Sequence, residues 1–409
     1  MTSSPRAGRT LLLASLLVGA LGATSCAASG APAPASSPSL PPNDGVDGGG
    51  AAEVASPALA LIVAGENGEL ALLDLETEER SPLTDAEAGE DAADAAVTGG
   101  GRFLHVTRET VDGTSVDVID SGRWTVPHGD HSHSFVGDAG VLGAVEGDGP
   151  ADIRIGDTAT AIRFGADVTL IDHEQLAEIE DAQRLTLADT PSGPVLPFSG
   201  HLLAATGDAV EILDSDGTAT GITAPCADAT DADITRVGAV FACETGAVLV
   251  TREIGGALAA EVIPYPAGVA PASDLAGRAD RPDLAGVAGD QGAWLLDSRT
   301  REWMLLATDT SLVRAAAIGD DDSRTVVIAS DGTVRVLAAD GSELARTQPL
   351  LAASVADPAP RDRVQLLVDA QHAYVSDPDT GAVHEIDHRD GSVTRTFGDL
   401  DSRYVQLVG

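Results

Sequence analysis

From residue 57 onward the chain repeats one pattern: a short apolar run, a turn rich in Gly and Asp, then a second alternating run that often ends in Asp. It reads LALIVAGENGELALLDL at Leu59–Leu75 and FLHVTRETVDGTSVDVID at Phe103–Asp120, with a weaker copy, AVEGDGPADIRIGD, at Ala144–Asp157. Further copies fall at Leu202–Asp214, Val240–Thr251, Leu284–Asp297, Thr325–Gly341 and His372–Asp387. Apolar residues at every second position suit a pleated strand with one face buried. The turns Asn67-Gly68, Asp112-Gly113, Asp331-Gly332 and Thr380-Gly381 are of the kind that reverse a hairpin. Successive hairpins start about 40–45 residues apart, with one interval near 60, and that period with four strands per unit is the pattern of a β-propeller.

Eight hairpins predict an all-β propeller of eight blades; the irregular third unit keeps seven as the alternative. The chain enters at the second strand of the first blade. Its end, Tyr404–Val408, is expected to supply that blade's missing inner strand and close the ring. Closure would remove the unpaired edges of an open array. One segment competes with the all-β pattern. His173–Arg184 (HEQLAEIEDAQR) is rich in helix formers and lies in the long interval, so an inserted helical turn is expected there.

Composition changes the picture mainly at the N-terminus. Arg6 and Arg9 precede an apolar run, Leu11–Leu21, that is too short to span a bilayer. The run ends in small residues before Cys26. This resembles a bacterial lipoprotein signal: residues 1–25 would be removed, leaving Cys26 lipidated on the extracytoplasmic face of the cell membrane. Secretion without lipid is the alternative. Residues 26–56 are Ala, Pro, Ser and Gly with little to bury, and read as a flexible tether to a domain over 57–409.

The 64 acidic residues face 24 basic ones, all Arg, for a net charge of −40. That excludes nucleic acid as a partner, because phosphate binding needs a basic surface. Cys226 and Cys243 are 17 residues apart, and in an exported protein they read as one disulfide. A metal-thiolate pair is the alternative.

Candidate chemistry concentrates in Trp124–Phe135 (WTVPHGDHSHSF). It holds three of the chain's nine histidines, His128, His131 and His133, with Asp130 among them. Imidazole is a preferred zinc ligand, and copper and nickel bind it as well. In an extended strand His131 and His133 share a face, and Pro127-His128-Gly129-Asp130 reads as the turn that delivers His128. Asp130 is either a ligand or an acceptor that orients an imidazole through its other N–H. In the propeller frame, the segment is expected in the connection between the second and third units, near the mouth of the channel. Of the other histidines, His105 reads as a strand residue, while His173 and His201 flank the long interval.

Asp214-Ser215-Asp216-Gly217 and Asp320-Asp321-Asp322 lack the further oxygen ligands of a calcium loop and read as turns. No phosphate loop, nucleophile elbow or HExxH motif is present, and the chain reads as a non-enzyme.

The H-G-D-H-x-H run between the second and third repeats of an exported propeller resembles the AztD-type zinc chaperones. The resemblance spans residues 57–409 and is carried by Val126–Phe135 (VPHGDHSHSF), Phe241–Val250 (FACETGAVLV) and Ala373–Phe397 (AYVSDPDTGAVHEIDHRDGSVTRTF). It implies a metallochaperone that delivers Zn²⁺ to the solute-binding protein of a zinc ABC importer, the AztC-type component. It further implies His128, His131 and His133 as ligands, with Asp130 in or beside the shell. Ala27–Ser56 holds none of the histidines of the family's flexible N-terminal motif, so one site with another transfer route is expected. Two other function classes remain open: an envelope scaffold for protein interactions, and a metal-dependent hydrolase at the channel mouth.

Overall fold

The computed structural model describes residues 50–65, 69–83, 96–110, 113–128, 131–173 and 179–409, with backbone alone at 110, 127 and 128. The leader, Cys26, residues 26–49, Asn67, Gly68, Asp112 and Asp130 lie outside the described residues, as does 174–178 of the expected helical insert.

The described chain is all-β and forms eight four-stranded antiparallel sheets and one three-stranded sheet. Sheet 1 takes its first strand from the end of the chain. Ser402–Val408 pairs with Ala60–Gly65, which is followed by Leu70–Asp74 and Arg80–Pro82. Sheet 2 is built from Ala96–Gly100, Phe103–Thr110, Gly113–Asp120 and Gly140–Gly147. Sheets 3 to 8 follow in chain order over 151–186, 195–225, 231–264, 273–307, 312–346 and 366–397. Seven of the eight expected hairpins are the second and third strands of a sheet.

The exception is the third unit. Ala144–Asp157 is not a hairpin: it spans the crossing from Gly140–Gly147, the last strand of sheet 2, to Ala151–Ile155, the first of sheet 3. The hairpin of sheet 3 is Ala159–Phe164 with Asp167–Asp172, turning at Gly165. The Gly-Asp-Gly at 147–149 imitated a hairpin turn but serves a crossing. The described part of His173–Arg184 agrees with the expected helical turn. It contains one 3₁₀ turn, Ile179–Asp181, and the start of the strand Gln183–Thr186. Two short helices that the pattern did not announce, Ala352–Ala356 and Pro358–Asp362, join sheets 7 and 8.

The strand pattern explains the packing. Many second and third strands are buried on both faces, as in Ala60–Gly65 and Gly292–Asp297. Each face meets a different neighbour. Val116 and Val118 of sheet 2 pack on Ile162 and Ile171 of sheet 3, and Leu104 and Ile119 of sheet 2 pack on Ile62 and Leu72 of sheet 1. The same arrangement repeats along the chain, and Tyr374, Val383 and Phe397 of sheet 8 pack on Leu61, Val63 and Leu73 of sheet 1. Each fully buried aliphatic side chain contributes about 1.5–3 kcal/mol relative to exposure. The disulfide Cys226–Cys243 ties the end of sheet 4 to the second strand of sheet 5. Closing its loop stabilises the fold by about 3 kcal/mol on the chain-entropy account. Both sulfurs are spent in the bridge, which removes the metal-thiolate alternative.

The Asp that ends many third strands is a turn cap. The carboxylates of Asp74, Asp120, Asp297 and Asp387 accept N–H groups of Thr77, Gly122, Arg299 and Arg389. Asp216 and Asp320 likewise accept the N–H groups of Thr218 and Arg324, in keeping with turns.

His105 lies in the middle of the second strand of sheet 2 and is fully buried. Burial, opposed by the Thr98 backbone and assisted by nearby His173, lowers its pKa to about 4. The unfolded chain therefore takes up a proton between about pH 6.5 and 4 that the folded chain refuses, so stability falls as pH drops through that window. Replacing His105 with Leu should flatten this fall. Urea unfolding of both proteins at pH 7, 5.5 and 4.5 measures it; parallel slopes would contradict the assignment.

Candidate metal centre

The histidine segment forms a hairpin of its own, Arg123–His128 with Arg123↔Val136, Trp124↔Phe135, Val126↔His133 and His128↔His131 as partners. Its base is closed where Gly137 donates an N–H to the Gly122 carbonyl at 2.7 Å. Gly122 has φ +69°, and a Cβ there would stand 2.5 Å from the Gly137 oxygen, so the position requires glycine.

The hairpin is not in the crossing between sheets 2 and 3, where the repeats suggested. It is inserted between the third and fourth strands of sheet 2, Gly113–Asp120 and Gly140–Gly147. Turns of successive antiparallel strands alternate between the two ends of a sheet. The hairpin therefore leaves at the end opposite to the crossing into sheet 3, so the expected position at that crossing does not hold.

A third strand completes the small sheet. Ala52–Val54 pairs antiparallel with His131–Val136, with Ala52↔Val136, Glu53↔Phe135 and Val54↔Ser134. These residues fall inside the span 26–56 expected to be a tether, so the last part of that span belongs to the fold. Val54 faces a strand edge that would otherwise be open, and that pairing outweighs the apolar poverty of the segment around it.

Aromatic and ionic contacts seat the hairpin. Trp124 stacks on Phe135 with ring centroids 5.3 Å apart, and the Arg102 guanidinium lies 3.9 Å from the Trp124 ring centroid. Arg102 is held in turn by Asp120, its Nε donating to Oδ2 at 2.9 Å. Arg123 reaches back to sheet 1, donating to Asp74 Oδ2 at 2.8 Å and to the Ala58 carbonyl at 3.1 Å. Burial pushes the Asp74 carboxyl up, but the Thr77 N–H, Arg123 and the Glu76 N–H together hold it below the usual carboxylate value. On the other side of the hairpin the hydroxyls of Thr125 and Ser134 are 3.0 Å apart.

Two of the expected ligands come together. His131 Nε2 and His133 Nε2 are 3.0 Å apart, with His131 exposed and His133 buried. The other nitrogen of His133, Nδ1, is 2.6 Å from Glu53 Oε1. Glu53 Oε1 is thus placed to accept an Nδ1–H of His133, and the Nε2–Nε2 contact is a hydrogen bond in which one of the two nitrogens carries the proton that a bound metal ion would displace. Two ligands on a tetrahedral zinc ion with bonds of about 2.0–2.1 Å lie about 3.3 Å apart, close to the observed separation. A carboxylate on the far nitrogen of a ligating imidazole is the usual support of such a ligand.

His128 is placed by its backbone directly across from His131. Asp130 lies outside the described residues. Among the described residues, no group of three or more His, Cys, Asp or Glu side chains is arranged to hold a metal ion. The two histidines flanking the long interval are engaged elsewhere: His173 Nε2 with Thr160 Oγ1 at 3.0 Å, and His201 Nδ1 with the Ser199 carbonyl at 3.0 Å. Glu53 is the residue that sequence reasoning missed. It is 80 residues from His133 in the chain and sits between Gly-rich and Pro-containing stretches, where no periodic signal marks a strand.

No protein-family model matches the chain, and no curated protein matches it in sequence. Among solved structures, that of AztD from Citrobacter koseri superposes with a TM-score of 0.71 at 16% identity, covering 87% of this chain and 98% of that one. The apo form of AztD from the same organism gives a TM-score of 0.71, again at 16% identity, with 99% of its chain covered. The chain has an AztD-type β-propeller fold.

Replacing Trp124 with Ala removes both the stack on Phe135 and the seat of Arg102. Backbone amides of Arg123–Val136 should then exchange with solvent at least tenfold faster, corresponding to roughly 1.5 kcal/mol of lost hairpin stability. Amides of sheets 4 to 7 should be unchanged. Hydrogen exchange followed by mass spectrometry reads both, and uniform acceleration across all sheets would contradict a local role.

Proposed function

We propose that the protein is a lipid-anchored, extracytoplasmic zinc metallochaperone that delivers Zn²⁺ to the solute-binding protein of a zinc ABC importer. The observation that carries the proposal is the imidazole pair, His131 and His133, with converging Nε2 atoms and a carboxylate behind one of them. The AztD-type fold and the H-G-D-H-x-H resemblance support zinc as cargo and an AztC-type protein as recipient. His128 and Asp130 complete the proposed ligand set, and exposure of His131 suits exchange of ligands with an incoming partner.

The scaffold in this proposal is an eight-bladed ring closed by the C-terminal strand. The supporting observations are the pairing of Ser402–Val408 with Ala60–Gly65 and the apolar contact between sheets 8 and 1. Export rests on the leader and on Cys26 as its lipid attachment. The function assigned is binding and transfer rather than catalysis.

Titration of the mature domain with zinc against a competing chelator tests the proposal, alongside the variant His128→Ala/His131→Ala/His133→Ala. The wild type should bind one zinc, and the variant should bind at least about 100-fold more weakly, since three ligands are lost. Equal affinity in the two proteins would overturn it.

A further inference from the structure

We propose that the strand Ala52–Val54 is a releasable strap that sets the zinc affinity of the hairpin through Glu53. The proposal rests on the zinc-binding function above and names how the same site is regulated. Glu53 would be a positioning residue, since its carboxylate meets the nitrogen of His133 that faces away from His131.

Three features make the strap separable. It is only three residues long and pairs with one neighbour, His131–Val136. Its side chains contribute little burial, with Ala52 exposed and Glu53 and Val54 partly exposed. It is flanked by Gly48-Gly49-Gly50 on one side and by Pro57, which has no N–H to donate, on the other. A short edge strand with few apolar contacts opens at low free energy without unfolding the sheets.

The strap is nevertheless retained when open. Four residues beyond Val54, the Ala58 carbonyl is gripped by Arg123, the first residue of the hairpin, and Arg123 is itself held by Asp74. Re-closure is therefore intramolecular and favoured by high effective concentration.

The consequence for the metal follows from hydrogen bonding. With the strap closed, Glu53 accepts the Nδ1 proton of His133, orients the ring and raises the basicity of Nε2. With the strap open, that carboxylate leaves with the strand, and His133 becomes a weaker and less ordered ligand. Loss of such a supporting partner weakens metal binding by about 10–100-fold. A chain without histidines over Ala27–Ser56 thus has a means of release that needs no ligand in its N-terminal segment.

The test uses the full chain and zinc alone. Glu53→Ala should weaken zinc binding by about 10–100-fold and speed its loss to a chelator, while Glu53→Gln, which keeps an acceptor without the charge, should fall between. In the metal-free protein, the nitrogen chemical shifts of His133 should show mixed tautomers in Glu53→Ala and a single Nδ1–H tautomer in the wild type. A second variant, Ala52→Cys/Val136→Cys, joins directly opposed residues of the two strands and locks the strap when oxidised. Zinc loss should slow at least tenfold in the locked form and recover on mild reduction. Unchanged affinity in Glu53→Ala, with binding still lost in His131→Ala/His133→Ala, would overturn the strap and leave the zinc site standing. Unchanged binding in the double histidine variant would instead count against the zinc site itself.

Discussion

The structure depends on one constraint: most central strands bury apolar side chains on both faces, so the four-stranded sheets are covered twice. A sheet such as the first, with Leu61 and Val63 turned one way and Ile62 and Ala64 the other, has no face to offer to water. It meets the constraint by lying between sheet 8 and sheet 2, and the same solution is repeated for its neighbours. Interiors packed in this way are close to crystal density and leave little room for polar side chains. Chemistry is therefore carried by an appendage. The histidine hairpin adds its own small sheet to one end of sheet 2 and buries few of its residues in the shared cores.

The attachment of that appendage is polar and aromatic where the sheets are aliphatic. Arg123 joins it to the turn-capping Asp74 of sheet 1, and Arg102 bridges the turn-capping Asp120 of sheet 2 to the Trp124 ring. The same aspartates that end the strands thus serve twice, once for a backbone turn and once for an arginine. The site beyond these arginines is left to imidazole and carboxylate groups.

Much of the fold was legible because the second and third strands of each sheet carry strong alternation and end in turn residues with a mechanical role. His372–Asp387 coincides with the two strands His372–Asp377 and Ala382–Asp387, and Leu202–Asp214 lies within one residue of the hairpin His201–Leu213. Ala144–Asp157 misled because a Gly-Asp-Gly turn between two weakly alternating strands looks the same whether the strands pair or belong to different sheets. Position along the repeat was also insufficient to place the histidines. A hairpin inserted between the third and fourth strands occupies the same stretch of sequence as a crossing would. His131 and His133 were legible as a pair from period-2 spacing alone. Glu53 was not, because a three-residue strand has no period, and its partner is set by an edge that only the folded hairpin creates.

In the proposed function, imidazole nitrogens of this hairpin hold the zinc ion. X-ray absorption at the zinc edge of the zinc-loaded protein tests it most directly. The expected result is a first shell of nitrogen and oxygen at about 2.0–2.1 Å, outer-shell scattering from imidazole rings, and no sulfur. A sulfur shell at about 2.3 Å, or a shell of oxygen without imidazole scattering, would contradict it.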